Sequence, residues 1–158
     1  MSSEPRWLSA AELETWMSLT FTLTMLPGAL GEQLQRDSGL SFTEYYVLAG
    51  LSDAPERTMR MSELALFANA ELSRLSHMVS RLEKRGFVRR QPDPTDGRYT
   101  NAILTDAGMA HLETAAPAHV ARVRELVFDA LSPEQVAQLH AIAEQINAKV
   151  NPEACSGQ

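Results

Sequence analysis

Cysteine is almost missing from this 158-residue sequence, with Cys155 standing alone near its end. A single thiol excludes an intrachain disulfide and a multi-cysteine metal site. Cys155 also lies beside Glu153 with no fixed cation, so it lacks the setting that activates a thiolate for peroxide sensing. The four histidines, His77, His111, His119 and His140, are scattered, and no Cys or His pair has i, i+4 spacing. His111 and His119 share roughly one helix face but stand about 12 Å apart along it, too far for one ion. No metal and no cofactor are expected. There is no run of 18 apolar residues, which excludes a hydropathic membrane span. The opening Met-Ser-Ser-Glu-Pro-Arg has no apolar signal core, so a cytoplasmic location is expected. A glycine-rich phosphate loop, a nucleophile motif and paired carboxylates are all missing, so no enzyme is expected. Basic charge is also short: 14 Lys+Arg face 20 Asp+Glu, a net of −6. Indiscriminate binding to nucleic acid is thereby excluded.

What is present concentrates between Met61 and Thr105. A short apolar-periodic piece, Ser62 to Ala68, is followed by a turn at Asn69-Ala70. Then Leu72, Leu75, Val79 and Leu82 recur at spacings of three and four, which predicts a helix over Glu71 to Arg85 with these four on one buried stripe. Ser73, Arg74, His77, Arg81 and Lys84 fall on its outer face, and Gly86 stops it. Phe87 to Arg90 and Tyr99 to Leu104 change to strand character around the turn-forming Pro92-Asp93-Pro94-Thr95-Asp96-Gly97. Helix, turn, helix, hairpin is the order of a winged helix-turn-helix, whose second helix is shaped for the DNA major groove.

Charge supports that reading. Residues 70–100 carry seven Arg and Lys against four Asp and Glu, a local net of +3 that leaves −9 for the remainder. A basic island in an acidic chain is a footprint for phosphate. The arginines continue from the helix into the hairpin, which a merely solvated helix face does not require.

The ordered run Leu64-Ala65, Leu75-Ser76, Arg81-Leu82-Glu83, Gly86-Phe87-Val88-Arg89-Arg90, Asp93-Pro94, Asp96-Gly97-Arg98 and Leu104-Thr105-Asp106-Ala107-Gly108 resembles the MarR family of bacterial repressors. The match is strong over the middle third and rests on helix pattern in the flanks. One departure stands out: the family's wing usually reads Asp-Arg-Arg, and here Gly97 takes the middle place, removing one wing cation.

The flanks are helical. Residues 1–8 read as an arm. Ser9-Ala10-Ala11-Glu12 is a capping box that opens a long helix ending at Asp37-Ser38-Gly39. Its apolar residues, from Leu13 and Trp16 to Leu34, cover more circumference than one core needs, so a second side is expected to meet a partner chain. Pro27-Gly28 predicts a kink or break in it. Ser41-Phe42-Thr43-Glu44 opens a second helix, in which only one of Tyr45 and Tyr46 can face the core. Thr58 to Met61 is a candidate first strand of the wing sheet. Thr105 and Asp106 cap a further helix containing Pro117, and Ser132-Pro133-Glu134-Gln135 starts the last one. The tail from Asn151 reads as disordered. The expected fold is mainly α with a small β-hairpin wing, one domain over 1–158. Its DNA-binding lobe spans 41–104, and its helical lobe spans 9–38 and 105–150.

The resemblance implies that the first, fifth and sixth helices of two subunits intertwine, giving a homodimer on a palindromic operator in double-stranded DNA. The expected function is a sequence-specific transcriptional regulator, a repressor released by a small anionic or phenolic ligand. The alternative is a dimeric small-molecule binder or scaffold of the same fold without operator binding. Arg74 and His77 are the expected base readers, and Ser73 and Ser76 hydrogen-bond phosphate or bases, although Ser76 borders the buried stripe. Two readings stay open for Arg81: phosphate contact, or a surface pair with Glu71 or Glu83. Arg98 matches the family's minor-groove arginine, with Asp96 as its orienter. Arg89 and Arg90 support the wing, or one of them pairs with Asp93 or Asp96. Trp16, Tyr45, Tyr46 and His111 are candidate ligand-lining residues, each equally explained by packing.

Overall fold

Ser9 accepts a hydrogen bond from the Glu12 amide at 3.2 Å, and Glu12 returns one to the Ser9 amide at 2.8 Å. This closed capping box launches α1, Ala10–Ser38, in the computed structural model, which describes residues 5–151. The tail beyond Asn151, with Cys155, lies outside the described residues, as do the first four residues of the arm. α1 runs through Pro27 as one helix, so the expected break does not occur. The amide that proline lacks would have served the Leu23 carbonyl, and both residues sit on an exposed face, where that carbonyl is not sealed in a core.

A second closed capping box at Ser41 and Glu44 starts α2, Phe42–Asp53. A 3₁₀ turn over Pro55–Arg57 leads to β1, Thr58–Arg60, then to α3, Met61–Phe67. Asn69, with φ of 48°, turns the chain into α4, Leu72–Lys84. On α4 the stripe is Leu75, Val79 and Leu82, all fully buried. Leu72 was expected to join them and is 54% exposed; it is the first residue of the helix and lies outside the core cluster. Gly86 follows with φ of 79°, a left-handed conformation that a side chain would strain.

The wing strands are β2, Val88–Pro92, and β3, Thr100–Leu104, antiparallel with Val88 opposite Leu104 and Pro92 opposite Thr100. β2 starts one residue later and ends two residues later than the sequence indicates. β1 adds to the outer edge of β3, giving the order β1-β3-β2. Leu34, Leu48, Leu64, Leu75, Leu82 and Leu104 pack together, so α1, α2, α3, α4 and the sheet share one core. Tyr45 faces inward and Tyr46 is partly exposed, as their adjacency requires.

α5, Asp106–Leu126, leaves the sheet through a tight joint. Thr105 donates its hydroxyl to the Gly86 carbonyl at 2.6 Å and accepts from the Gly108 amide at 3.0 Å, while its own amide bonds the Phe87 carbonyl at 3.0 Å. A Cβ on Gly108 would run into that same Phe87 carbonyl and into Leu104. Within the Thr-Asp-Ala-Gly run, Thr105 is therefore required by hydrogen bonding and Gly108 by steric space.

The chain divides after His119 into two units. The second holds the end of α5, a 3₁₀ turn at Phe128–Ala130, and α6, Pro133–Val150, with its capping box at Ser132 and Gln135 closed. Pro117 lies within α5 without ending it. No helix among the described residues is long and apolar enough to cross a membrane.

Candidate nucleic-acid interface

The outer face of α4 carries Ser73, Arg74, His77, Arg81 and Lys84, all exposed. Ser73, Arg74 and His77 lie in the first two turns, the end that a recognition helix presents to base edges. Arg74 forms no ion pair among the described residues, and it lines a groove with Glu71, His77, Met78, Arg81 and Thr43.

The other basic residues divide into free and tethered. Arg81 pairs at 3.4 Å with the buried Glu44 of α2, not with Glu71 or Glu83. The two residues are 37 positions apart, so the fold, not local spacing, makes this pair. Arg90 pairs with neither Asp93 nor Asp96. Its guanidinium reaches Glu83 at 3.0 Å, Ser80 at 2.8 Å and Ser76 at 3.2 Å, lashing β2 to the recognition helix. The Ser76 oxygen is thus an acceptor for Arg90, and its O–H remains free to donate. Arg89 donates to Gln91 at 2.7 Å along the strand.

At the wing, Arg98 is 84% exposed and makes a forked contact with Asp96, Nη2 to Oδ2 at 2.6 Å and Nε to Oδ1 at 3.0 Å. Asp96, the expected orienter, lies in contact with Arg98. The Arg98 guanidinium holds its carboxyl below the usual carboxylate range. Gly97 has open space around it, so it supplies no packing the wing needs.

The sequence reading missed Arg60. It donates to the buried Asp93 at 2.9 Å and its guanidinium lies 4.4 Å above the Tyr99 ring. Asp93 also accepts from the Thr95 hydroxyl at 2.7 Å, the Thr95 amide at 2.8 Å and the Asp96 amide at 3.3 Å. The Thr95 bonds, then Arg60, hold the Asp93 carboxyl far below its ordinary value. The turn itself was legible, but Asp93 was expected to pair with Arg89 or Arg90; Arg60, 33 residues upstream, carried no local signal. Because its folded-state pKa is depressed, Asp93 contributes stability above its unfolded pKa of about 4, and loses it as pH falls below that. The parent should therefore exceed Asp93→Asn in thermal midpoint at neutral pH, with the gap closing between about pH 4 and pH 2. A gap that stays constant through the acid range would remove the carboxylate from this account.

The candidate ligand-lining residues do not form one group. Tyr45 and Tyr46 gather around His119, whose ring is 4.3 Å from Tyr45 and whose Nδ1 meets Gln33 at 3.2 Å. His119 is buried with Nε2 unpartnered, and burial pulls its pKa down. His111 is elsewhere, stacked on Phe87 with Nε2 at 2.9 Å from the Ser38 carbonyl. Trp16 stands half exposed on α1. Among the described residues no three His, Cys, Asp or Glu side chains are grouped to hold a metal ion.

Comparison with known proteins agrees with this geometry. A MarR family model matches residues 38–98, from the end of α1 to Arg98. The crystal structure of Sco3205, a MarR family transcriptional regulator from Streptomyces coelicolor, determined in complex with DNA, is 45% identical. It superposes with a TM-score of 0.91 over 97% of this chain and 96% of that one. AbsC, a MarR family transcriptional regulator from the same organism, is 34% identical with a TM-score of 0.88, over 94% of this chain and all of that one. The uncharacterized HTH-type transcriptional regulator YkoM of Bacillus subtilis is 30% identical over 132 residues, 81% of this chain and 83% of that protein. With this helix-turn-helix, this wing and these relatives, the chain belongs to the MarR family of transcriptional regulators.

Proposed function

We propose that this regulator acts as a homodimeric repressor on a roughly palindromic operator in double-stranded DNA, and that a small ligand releases it. The sorting of its cations carries the reading. Arg81, Arg90 and Arg60 are held by Glu44, Glu83 and Asp93, while Arg74, His77 and Lys84 face outward from α4 and Arg98, paired only with its near neighbour Asp96, stands out from the wing. Arg74 and His77 read base edges, Ser73 and Ser76 donate to phosphate or bases, and Arg98 enters the minor groove with Asp96 setting its angle. Sco3205, solved with DNA, supports the same role here.

The partner is a second copy. α1 exposes Leu13, Trp16, Met17, Phe21 and Leu23, and α6 exposes Leu139, Ile142 and Ile146. Apolar faces of this extent belong to an interface. A stable monomer in sedimentation at micromolar concentration would overturn the dimer. The effector is a small anionic or phenolic molecule, and its binding opposes DNA binding through linkage. No catalysis is assigned, and a cytoplasmic location belongs to the same reading.

Selection of bound sequences from a random duplex pool tests the whole. The expected product is a palindrome with half-sites about one helical turn apart, bound with a steep salt dependence. No enriched motif would favour a ligand-binding or scaffold role. With the selected duplex, Arg98→Ala is expected to weaken binding and flatten the salt slope by about one unit per subunit. Arg81→Ala is expected to leave the slope unchanged, because Arg81 is anchored to the buried Glu44 of α2, whereas Arg98, although paired with Asp96, stands almost fully exposed on the wing. A slope that falls equally in both variants would put Arg81 back on the phosphates.

A further inference from the structure

Arg85 sits at the end of α4, in the C-cap position, and it turns away from the groove-reading end. Its Nη1 donates to the Gly39 carbonyl at 2.8 Å, its Nη2 approaches the Ser38 carbonyl at 3.5 Å, and its guanidinium carbon lies 4.7 Å from the Phe87 ring centre. Ser38 and Gly39 are the last residue and the C-cap of α1, whose final carbonyls have no intrahelical partner. His111 of α5 meets the same Ser38 carbonyl at 2.9 Å and stacks on Phe87 at 4.4 Å with the rings 16° from parallel. One aromatic ring thus carries both groups that close the end of α1. A cation there also complements the negative end of a 29-residue helix dipole.

We propose that Arg85 is a positioning residue for operator binding: by closing the C-terminal carbonyls of α1 from the end of α4, it fixes the angle at which the recognition helix is presented. α4 is about 20 Å long, so a small change at its capped end displaces the base-reading end by more. Both partner carbonyls engage planar N–H groups, and the guanidinium lies on a ring, so lysine is not an equivalent. This inference rests on operator binding and assigns Arg85, one of the seven cations of the basic island, to the carbonyls of α1 instead of to phosphate.

The test uses the full chain and the duplex that the parent enriches from a random pool. The parent, Arg85→Ala and Arg85→Lys are titrated at several salt concentrations. Active protein is counted by stoichiometric titration, so that affinity is expressed per folded dimer. Arg85→Ala is expected to bind about tenfold more weakly at every salt concentration with the salt slope unchanged, and Arg85→Lys is expected not to recover the loss. A slope flattened by about one unit per subunit and restored by lysine makes Arg85 a phosphate contact and overturns the proposal. So does recovery of affinity by lysine at an unchanged slope. Affinity equal to the parent's per active dimer also overturns it, even with a lowered thermal midpoint, because Arg85 then serves folding alone. A parent that enriches no duplex sinks the operator reading itself, and the positioning role with it.

Discussion

Gly108→Ala is expected to lose about 2 kcal/mol of stability, a drop of about 4–8 °C in thermal midpoint for a domain of this size. Two effects oppose each other. Alanine is the better helix former by at most about 1 kcal/mol. Against that, the new Cβ meets the backbone carbonyl of Phe87, which cannot rotate away as a side chain could. Overpacking against a fixed group costs about 1–3 kcal/mol or more, so the clash wins. The Phe87 carbonyl already accepts the Thr105 amide at 3.0 Å, and moving it disturbs the hairpin root as well as the helix start. Gly97→Ala is the control, since nothing stands near Gly97, and it should stay within about 0.5 kcal/mol of the parent. Equal midpoints for parent and Gly108→Ala would show that the joint relaxes freely and that the motif's glycine serves something else.

Arg74→Ala is expected to cost about 1–3 kcal/mol per half-site on the selected duplex, and much less on random duplex. The reason is geometric. Arg74 is in the first turn of the recognition helix, outward-facing and in no ion pair among the described residues, so no carboxylate of the fold competes for its fork of donors. Because it is exposed, its loss should leave the thermal midpoint within about 1 °C of the parent. A fresh selection with the variant should return a motif relaxed at one position per half-site. An equal loss on selected and random duplex would reassign Arg74 from base edge to phosphate.

The helix-turn-helix order, the hairpin and all three Ser-led capping boxes were legible because each is a local pattern. Leu75, Val79 and Leu82 announce a helix face by spacing, and Ser41 with Glu44 announces its start. The outward residues of α4 follow from the same arithmetic. The tethers were not legible. Glu44 to Arg81 and Arg60 to Asp93 join residues whose neighbours in sequence say nothing of each other. Arg90 looked equally suited to Asp93 or Asp96 until the hairpin placed its side chain over Glu83, Ser76 and Ser80. Pro27 shows the limit of a local rule: α1 is not broken there, because one missing backbone bond does not end a 29-residue helix.

Tethering its arginines also shapes how such a protein would search a chromosome. With three of the seven cations of residues 70–100 held in ion pairs and nine net negative charges elsewhere, the chain would attract random duplex less than its arginine count suggests. A protein built in this way would leave less of its population on unrelated sequence.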